Sequence, residues 1–162
     1  MIMSDIKNYI FDVGDVLVSF RYKEYMHDLG FDEKTIEFLS DNMVMTDFWK
    51  GMDLGIEDVD DAPGYFSDKF PEYGAQISEF WKHIEDIVGE YDYSAPLIRS
   101  LKEKGYRVYL LSNYPDKLAD MHWSRFSFLK ELDGYIVSAK VKLAKPDLFF
   151  SIYSYNKKAN SH

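Results

Sequence analysis

The chain has 162 residues, a length that suits one domain, or one core domain carrying a small insertion. Hydrophobic residues make up 46% and charged residues 29%, a balance that excludes an intrinsically disordered chain. The formal net charge of −9 argues against a nucleic-acid or anionic-membrane partner, because phosphates would repel the protein. With no cysteine, the chain has no disulfide framework, no thiolate metal site and no cysteine nucleophile.

Targeting signals are not evident in the sequence. The longest apolar runs fall far short of the roughly 18 residues of a membrane span. Residues 1–7 lack the basic region and the long apolar stretch of a signal peptide. We therefore expect a soluble, cytoplasmic protein.

A buried strand is predicted at residues 6–11 (IKNYIF), since this β-branched and aromatic run ends in a glycine-containing loop. Residues 16–20 continue apolar and predict a flap or a second extended piece. The next eighty or so residues carry no strand signal of similar quality, and residues 22–89 look helical.

Within that helical stretch, Asp32 and Thr46 are predicted helix N-caps, because short oxygen-bearing side chains accept from free N–H groups of the first turn. Apolar residues recur at helical spacing over residues 77–88 and indicate one amphipathic helix there. We expect Pro63-Gly64 and Pro71 to divide the stretch into short helices.

Strands and helices alternate in the last third of the chain. The pattern predicts a helix from Pro96 to Gly105, a strand at 106–111, a helix after Pro115, a strand at 135–137 and a helix at 148–155. This βαβ succession favours an α/β fold with a Rossmann-like parallel sheet and right-handed crossovers. Residues 1–20 and 90–162 would form the core, and residues 21–89 a helical insertion.

The residues placed just after the three predicted strands carry the chemistry that the sequence offers, because ligands of open parallel sheets bind at the carboxyl ends of strands. They are Asp12, Ser112 with Asn113, and Lys145. A carboxylate can act as nucleophile, while a hydroxyl, an amide and an ammonium bind phosphoryl oxygens. A divalent cation is expected beside Asp12, because two anions must approach each other there.

Three segments in this order resemble the motifs of the haloacid dehalogenase (HAD) superfamily of phosphohydrolases. Residues 9–18 (YIFDVGDVLV) resemble its first motif, 110–113 (LLSN) its second and 145–147 (KPD) its third. Their order and separations fit, with a helical cap inserted after the first motif, and the resemblance covers essentially the whole chain. It implies the HAD-like α/β core with this cap.

The resemblance also implies residue roles. Asp12 would be the nucleophile that forms an aspartyl-phosphate, and a ligand of Mg²⁺. Ser112 and Asn113 would hold the transferring phosphoryl group, and Lys145 would neutralise charge on it. The backbone carbonyl of Gly14 matches the second magnesium ligand. The implied substrate is a small phosphorylated metabolite.

Gly14 departs from most family phosphatases, which have a second aspartate two residues after the nucleophile to protonate the leaving group. Asp15 lies one residue further on and is expected to stabilise the loop rather than to replace that acid. A glycine occurs here in a branch of the family that resembles sugar-phosphate phosphatases, so a sugar phosphate is one candidate substrate.

The family's fourth motif, an acidic strand end that completes the magnesium site, has no counterpart after Lys145. The chain therefore looks truncated relative to the family, and its Mg²⁺ site is expected to be incomplete. Loss of the fourth strand would leave the strand of Asp12 as an exposed edge. We hypothesise that this edge mediates self-association.

Three functions follow from these observations. The first is a Mg²⁺-dependent phosphatase that works through an aspartyl-phosphate. The second is a catalytically silent, truncated HAD-like protein with a binding or assembly role, which the missing motif favours. The third, a metal-independent 2-haloacid dehalogenase, ranks lower because such enzymes carry an aromatic residue where this chain has Gly14.

Overall fold

The computed structural model describes residues 7–147. The strands of this part of the chain form two sheets. They are β1 (Asn8–Phe11), β2 (Val18–Phe20), β3 (Val88–Glu90), β4 (Arg107–Ser112) and β5 (Gly134–Val137).

The α-helices lie between these strands and after β5. They are α1 (Tyr22–Asp28), α2 (Glu33–Leu39), α3 (Asp47–Asp53), α4 (Ala62–Lys69), α5 (Gly74–Lys82), α6 (Ser94–Glu103), α7 (Asp116–Trp123) and α8 (Ser138–Val141). A π-helical turn at Ser40–Val44 continues α2, and short 3-10 turns fall at Val59–Asp61, Pro71–Tyr73, Ile84–Ile87 and Ser127–Glu131.

The larger sheet is parallel, with strand order β1-β4-β5. Phe11 at the end of β1 pairs with Leu110 in β4, and Ser112 at the end of β4 pairs with Val137 in β5. This register brings the carboxyl ends of the three strands to one edge of the sheet, as an α/β fold with a Rossmann-like sheet requires. The predicted fold class is confirmed.

The prediction that β1 is buried was wrong. Its residues alternate between exposed and half-buried, and Ile10 keeps 50% of its surface accessible. Among residues 7–147, β1 pairs with β4 alone, so it forms one edge of the sheet. An edge strand has a neighbour on one side only, which accounts for this exposure.

Residues 84–89, which we predicted to be helical, form a 3-10 turn and the first two residues of a strand in a second sheet. The 3-10 turn Ile84–Ile87 follows α5, and β3 then pairs antiparallel with β2, Phe20 opposite Val88. The prediction of one helix over residues 77–88 was therefore wrong beyond Lys82. Periodicity misled here because Ile84 and Ile87 are buried by tertiary contacts rather than along one helical face.

Both predicted N-caps are confirmed. The side chain of Asp32 accepts from the backbone N–H of Thr35, and that of Thr46 accepts from the N–H of Trp49. Pro63-Gly64 does not break a helix, because Pro63 occupies the first turn of α4, where its missing N–H costs nothing. Pro71 does begin a separate 3-10 turn after α4.

Residues 22–87, which we call the helical segment, share one apolar core with the parallel sheet. Phe66 and Phe80 from the helical segment are fully buried, as are Val108 in β4 and Phe128 near β5. This common core fixes the helical segment over the sheet, since separating the two would expose aromatic surface to water.

No helix of the described residues is long and apolar enough to cross a membrane. The helix predicted at residues 148–155 lies outside the residues that the structure describes.

Candidate active site

Asp12 and Lys145 form an ion pair at the carboxyl edge of the parallel sheet. The Lys145 ammonium lies 2.5 Å from Oδ2 of Asp12, and Oδ1 accepts the backbone N–H of Val13 at 2.8 Å. The side chains of Asp12 and Lys145 keep 45% and 29% of their surface accessible. Both groups are therefore within reach of a small molecule.

Asn113, directly after β4, holds the backbone of Lys145 at two points. Its Oδ1 accepts the Lys145 N–H at 2.8 Å, and its Nδ2 donates to the Lys145 carbonyl at 3.0 Å. The side-chain amide thus positions the lysine, a role that the sequence did not indicate. That Asn113 also binds phosphate stays a prediction.

Ser112 is the last residue of β4 and is almost completely buried. Its hydroxyl makes a long 3.4 Å hydrogen bond to the carbonyl of Asn113. Ser112 is therefore adjacent to the site in the fold, and its predicted contact with a phosphoryl group stays a prediction.

The loop after β1 is built around backbone hydrogen bonds to the carbonyl of Val13, which accepts from Leu17 at 2.9 Å and Val18 at 3.1 Å. Asp15 adopts a positive φ of 55°, and its Oδ1 accepts the N–H of Phe20 at 3.0 Å. As expected, Asp15 stabilises this loop. Gly14, between the two aspartates, has no side chain to offer.

A cavity of about 250 Å³ opens at this edge of the sheet, bounded by the strand-end loops and by the helical segment. Its charged and polar lining comprises Asp12, Asp15, Asp53, Asn113, Tyr114, His122 and Lys145. Its apolar lining includes Val18, Phe20, Trp49, Ile87, Val88 and Leu118. Apolar walls combined with converging polar groups are typical of small-molecule sites.

Asp53, the last residue of α3, was not identified from the sequence. Burial raises the pKa of its carboxyl group from 3.8 to about 7, because the charged form loses solvation. Within residues 7–147 that carboxylate makes no hydrogen bond and no ion pair. An aspartate at the end of a short helix is an ordinary sequence feature, so no local signal distinguishes it.

Tyr114 and His122 form a buried pair in the cavity wall. His122 Nδ1 lies 2.6 Å from the Tyr114 hydroxyl, and Nε2 lies 3.1 Å from the carbonyl of Ile84. A carbonyl only accepts, so Nε2 carries the proton and the tyrosine donates to Nδ1. Burial lowers the pKa of His122 to about 4 and raises that of Tyr114, so both are neutral near pH 7.

Ser138, just after β5, links the helical segment to the sheet. Its hydroxyl donates to the carbonyl of Asp53 and accepts the N–H of Tyr114 at 2.9 Å. Ser138 follows a strand as Asp12 and Asn113 do, so the same topological rule could have found it from the sequence.

We expect Ser138→Ala to lower the free energy of unfolding by about 1–3 kcal/mol, because it leaves the Asp53 carbonyl and the Tyr114 N–H without their partner. Urea unfolding measures this difference. Ser124→Ala is the matched control, since the Ser124 hydroxyl bonds the Met121 carbonyl at the surface. Equal stability of the two variants would contradict the linking role.

The oxygen atoms of this site suit Mg²⁺. The Asp12 carboxylate and the Gly14 carbonyl would offer it hard oxygen ligands, and Asp15 adds a second aspartate to the same cavity beside the single ammonium of Lys145. Magnesium is commonly held by one or two carboxylates together with water and substrate phosphate. Across residues 7–147, no group of three or more His, Cys, Asp and Glu side chains is arranged to hold a metal by itself.

The parallel sheet and the helical segment inserted after β1 define an α/β fold, and comparison with solved structures identifies its relatives. A HAD-family enzyme from Bacteroides thetaiotaomicron matches with a TM-score of 0.65 and 24% identity, over 96% of this chain and 80% of that one. A HAD-like hydrolase from Porphyromonas gingivalis matches with a TM-score of 0.67 and 14% identity, over 96% and 78%. The L-2-haloacid dehalogenase from Xanthobacter autotrophicus matches with a TM-score of 0.65 and 12% identity, over 97% and 66%.

These likenesses show that the chain has the fold of the HAD-family hydrolases, which confirms the fold implied by its motifs. The Bacteroides enzyme has also been crystallised in complex with magnesium and inorganic phosphate. No protein-family model and no curated protein matches the sequence.

Proposed function

We propose that this protein is a Mg²⁺-dependent phosphatase that acts on a small phosphorylated metabolite through an aspartyl-phosphate. The observation that carries the proposal is the 2.5 Å pair of Asp12 and Lys145 at the carboxyl edge of the sheet, inside a cavity of small-molecule size. A carboxylate beside a fixed ammonium can attack phosphorus while the growing negative charge is offset.

In the first step, Oδ of Asp12 bonds to phosphorus, and the bond from phosphorus to the leaving oxygen breaks. Lys145 offsets charge on the phosphoryl oxygens, and Asn113 keeps the lysine in place through its two backbone hydrogen bonds. In the second step, water attacks phosphorus, phosphate leaves and the Asp12 carboxylate is restored. Mg²⁺, held by the Asp12 carboxylate and the Gly14 carbonyl, would neutralise the repulsion between nucleophile and phosphate.

The helical segment would serve as the cap of this site. The helical segment lines the cavity through Trp49 and Asp53 of α3 and through Ile87. Such a lid excludes water and selects the substrate. Trp49 and Phe20 give the cavity an aromatic wall, and the candidate that we retain within the class of small metabolites is a sugar phosphate, whose ring could pack against that wall.

The test is phosphate release from 4-nitrophenyl phosphate by the 162-residue chain, with Mg²⁺ and with a chelator. We expect release that requires Mg²⁺. A folded protein that releases no phosphate from this ester or from a panel of sugar phosphates would contradict the proposal and favour a silent binding protein. Release of chloride from a 2-haloacid without metal would instead identify a dehalogenase.

A further inference from the structure

Hydrolysis of an unactivated phosphate ester needs a proton for the leaving oxygen, and Gly14 provides no side chain to donate it. The donor must lie in the same cavity as Asp12. The titratable side chains that line this cavity, besides Asp12, are Asp15, Asp53, Tyr114, His122 and Lys145.

Four of these groups already have partners. Asp15 accepts a backbone hydrogen bond in its own loop, and Lys145 is paired with Asp12. Tyr114 donates to His122, whose remaining nitrogen donates to a backbone carbonyl. Tyr114, His122 and Lys145 would have to give up a proton that their own hydrogen bond or ion pair uses, and the Asp15 carboxylate is held in its loop as an acceptor.

Asp53 differs from these groups in that its partly buried side chain lines the cavity without a partner among residues 7–147. In the described chain its carboxylate has no hydrogen-bond or ion-pair partner, while the carbonyl of the same residue is held by Ser138. The backbone is therefore fixed and the carboxyl group is free to meet a substrate. Its pKa of about 7, raised by burial, lets the group give and regain a proton near neutral pH.

We propose that Asp53 is the general acid and base of this site, supplied by the helical segment in place of the missing side chain at Gly14. This assignment rests on the proposed phosphatase function. As Asp12 bonds to phosphorus, the leaving oxygen takes the proton of Asp53 and departs as an alcohol. The Asp53 carboxylate then takes a proton from the attacking water, so that phosphate is released and the acid is restored.

The dependence of the rate on the leaving group tests this role. The probes are phenyl, 4-nitrophenyl and 2,4-dinitrophenyl phosphate, whose phenolates are progressively weaker bases and need the proton progressively less. We expect Asp53→Asn to lower kcat/KM by about 10²- to 10⁴-fold for phenyl phosphate and to leave it nearly unchanged for 2,4-dinitrophenyl phosphate. With the latter, the variant should show a burst of dinitrophenol as the aspartyl-phosphate accumulates.

Asp47→Asn is the matched control, because it makes the same chemical change on α3 at an exposed side chain paired with Lys50. It should leave all three rates unchanged. Loss of the same size for all three esters in Asp53→Asn, or no loss for any, would overturn the acid–base role. A folded wild-type protein inactive on every ester would instead overturn the proposed function itself, so the two failures are distinguishable.

Discussion

Asp12→Asn is expected to reduce Mg²⁺-dependent phosphate release by at least about 10³-fold, for every ester tested, without unfolding the protein. An amide is a poor nucleophile toward phosphorus, and the change also removes the charge opposite Lys145. Stability should change by no more than about 1 kcal/mol, because the ion pair is partly exposed to solvent.

The measurement pairs phosphate release with urea unfolding of the same samples. Asp68→Asn, at an exposed position of α4, is the control for the chemical change. Turnover in Asp12→Asn at the rate of the control would rule out Asp12 as nucleophile. Uniform loss in this variant, against leaving-group-dependent loss in Asp53→Asn, separates the nucleophile from the proton donor.

Asp53 should also make stability depend on pH in a way that needs no substrate. Its carboxyl pKa is raised from 3.8 to about 7 on folding, so between these values the folded state binds more protons than the unfolded state. The free energy of unfolding therefore falls as pH rises through this window. The penalty is absent below pH 3.8, complete above about pH 7, and on the order of 4 kcal/mol at most.

Asp53→Asn removes the titrating group, so the variant should equal the wild type in stability near pH 4 and exceed it by a few kcal/mol at pH 8. The measurement is urea unfolding of both proteins across this range. His122 gives the opposite pH dependence. Because burial lowers its pKa to about 4, the folded protein loses stability as pH falls and the buried ring becomes protonated. The difference in free energy of unfolding between variant and wild type at each pH cancels the contributions that both proteins share. These come from His122 and from the other titratable cavity groups, Asp12, Asp15, Tyr114 and Lys145.

Asp47→Asn again provides the control, and its stability should track that of the wild type at every pH because Asp47 is almost fully exposed. A stability difference for Asp53→Asn that does not vary between pH 4 and pH 8 would show that the Asp53 carboxyl has the pKa of an exposed aspartate. In that case the group would be ionised at neutral pH and unsuited to donate a proton.

Local interactions account for the elements that were predictable. Asp32 and Thr46 begin their helices because a capping side chain and the N–H it binds are three residues apart. Gly105 ends the connection before β4 with a φ of 83°, a conformation that glycine adopts without strain. Asp12 and Asn113 could be placed together because strand ends of a parallel sheet share an edge.

The features that were missed depend on partners distant in sequence. β3 has three residues and exists because β2, some seventy residues earlier, pairs with it. The composition of β1 indicated a buried strand, and its exposure followed only from the expected loss of a flanking strand, because exposure depends on how many strands flank it. The hydrogen bonds from Asn113 to the backbone of Lys145 join residues 32 positions apart.

The sequence by itself determined the class of fold, the order of the strands of the parallel sheet, and the identity of Asp12 and Lys145 as the charged residues that follow strands. Short-range periodicity, capping and glycine conformation carry that information, and each acts within a few residues. Only the tertiary structure decided that Asp53 enters the cavity of Asp12. Its altered pKa arises from desolvation, and burial by the packing of the helical segment on the sheet is a property of the whole fold.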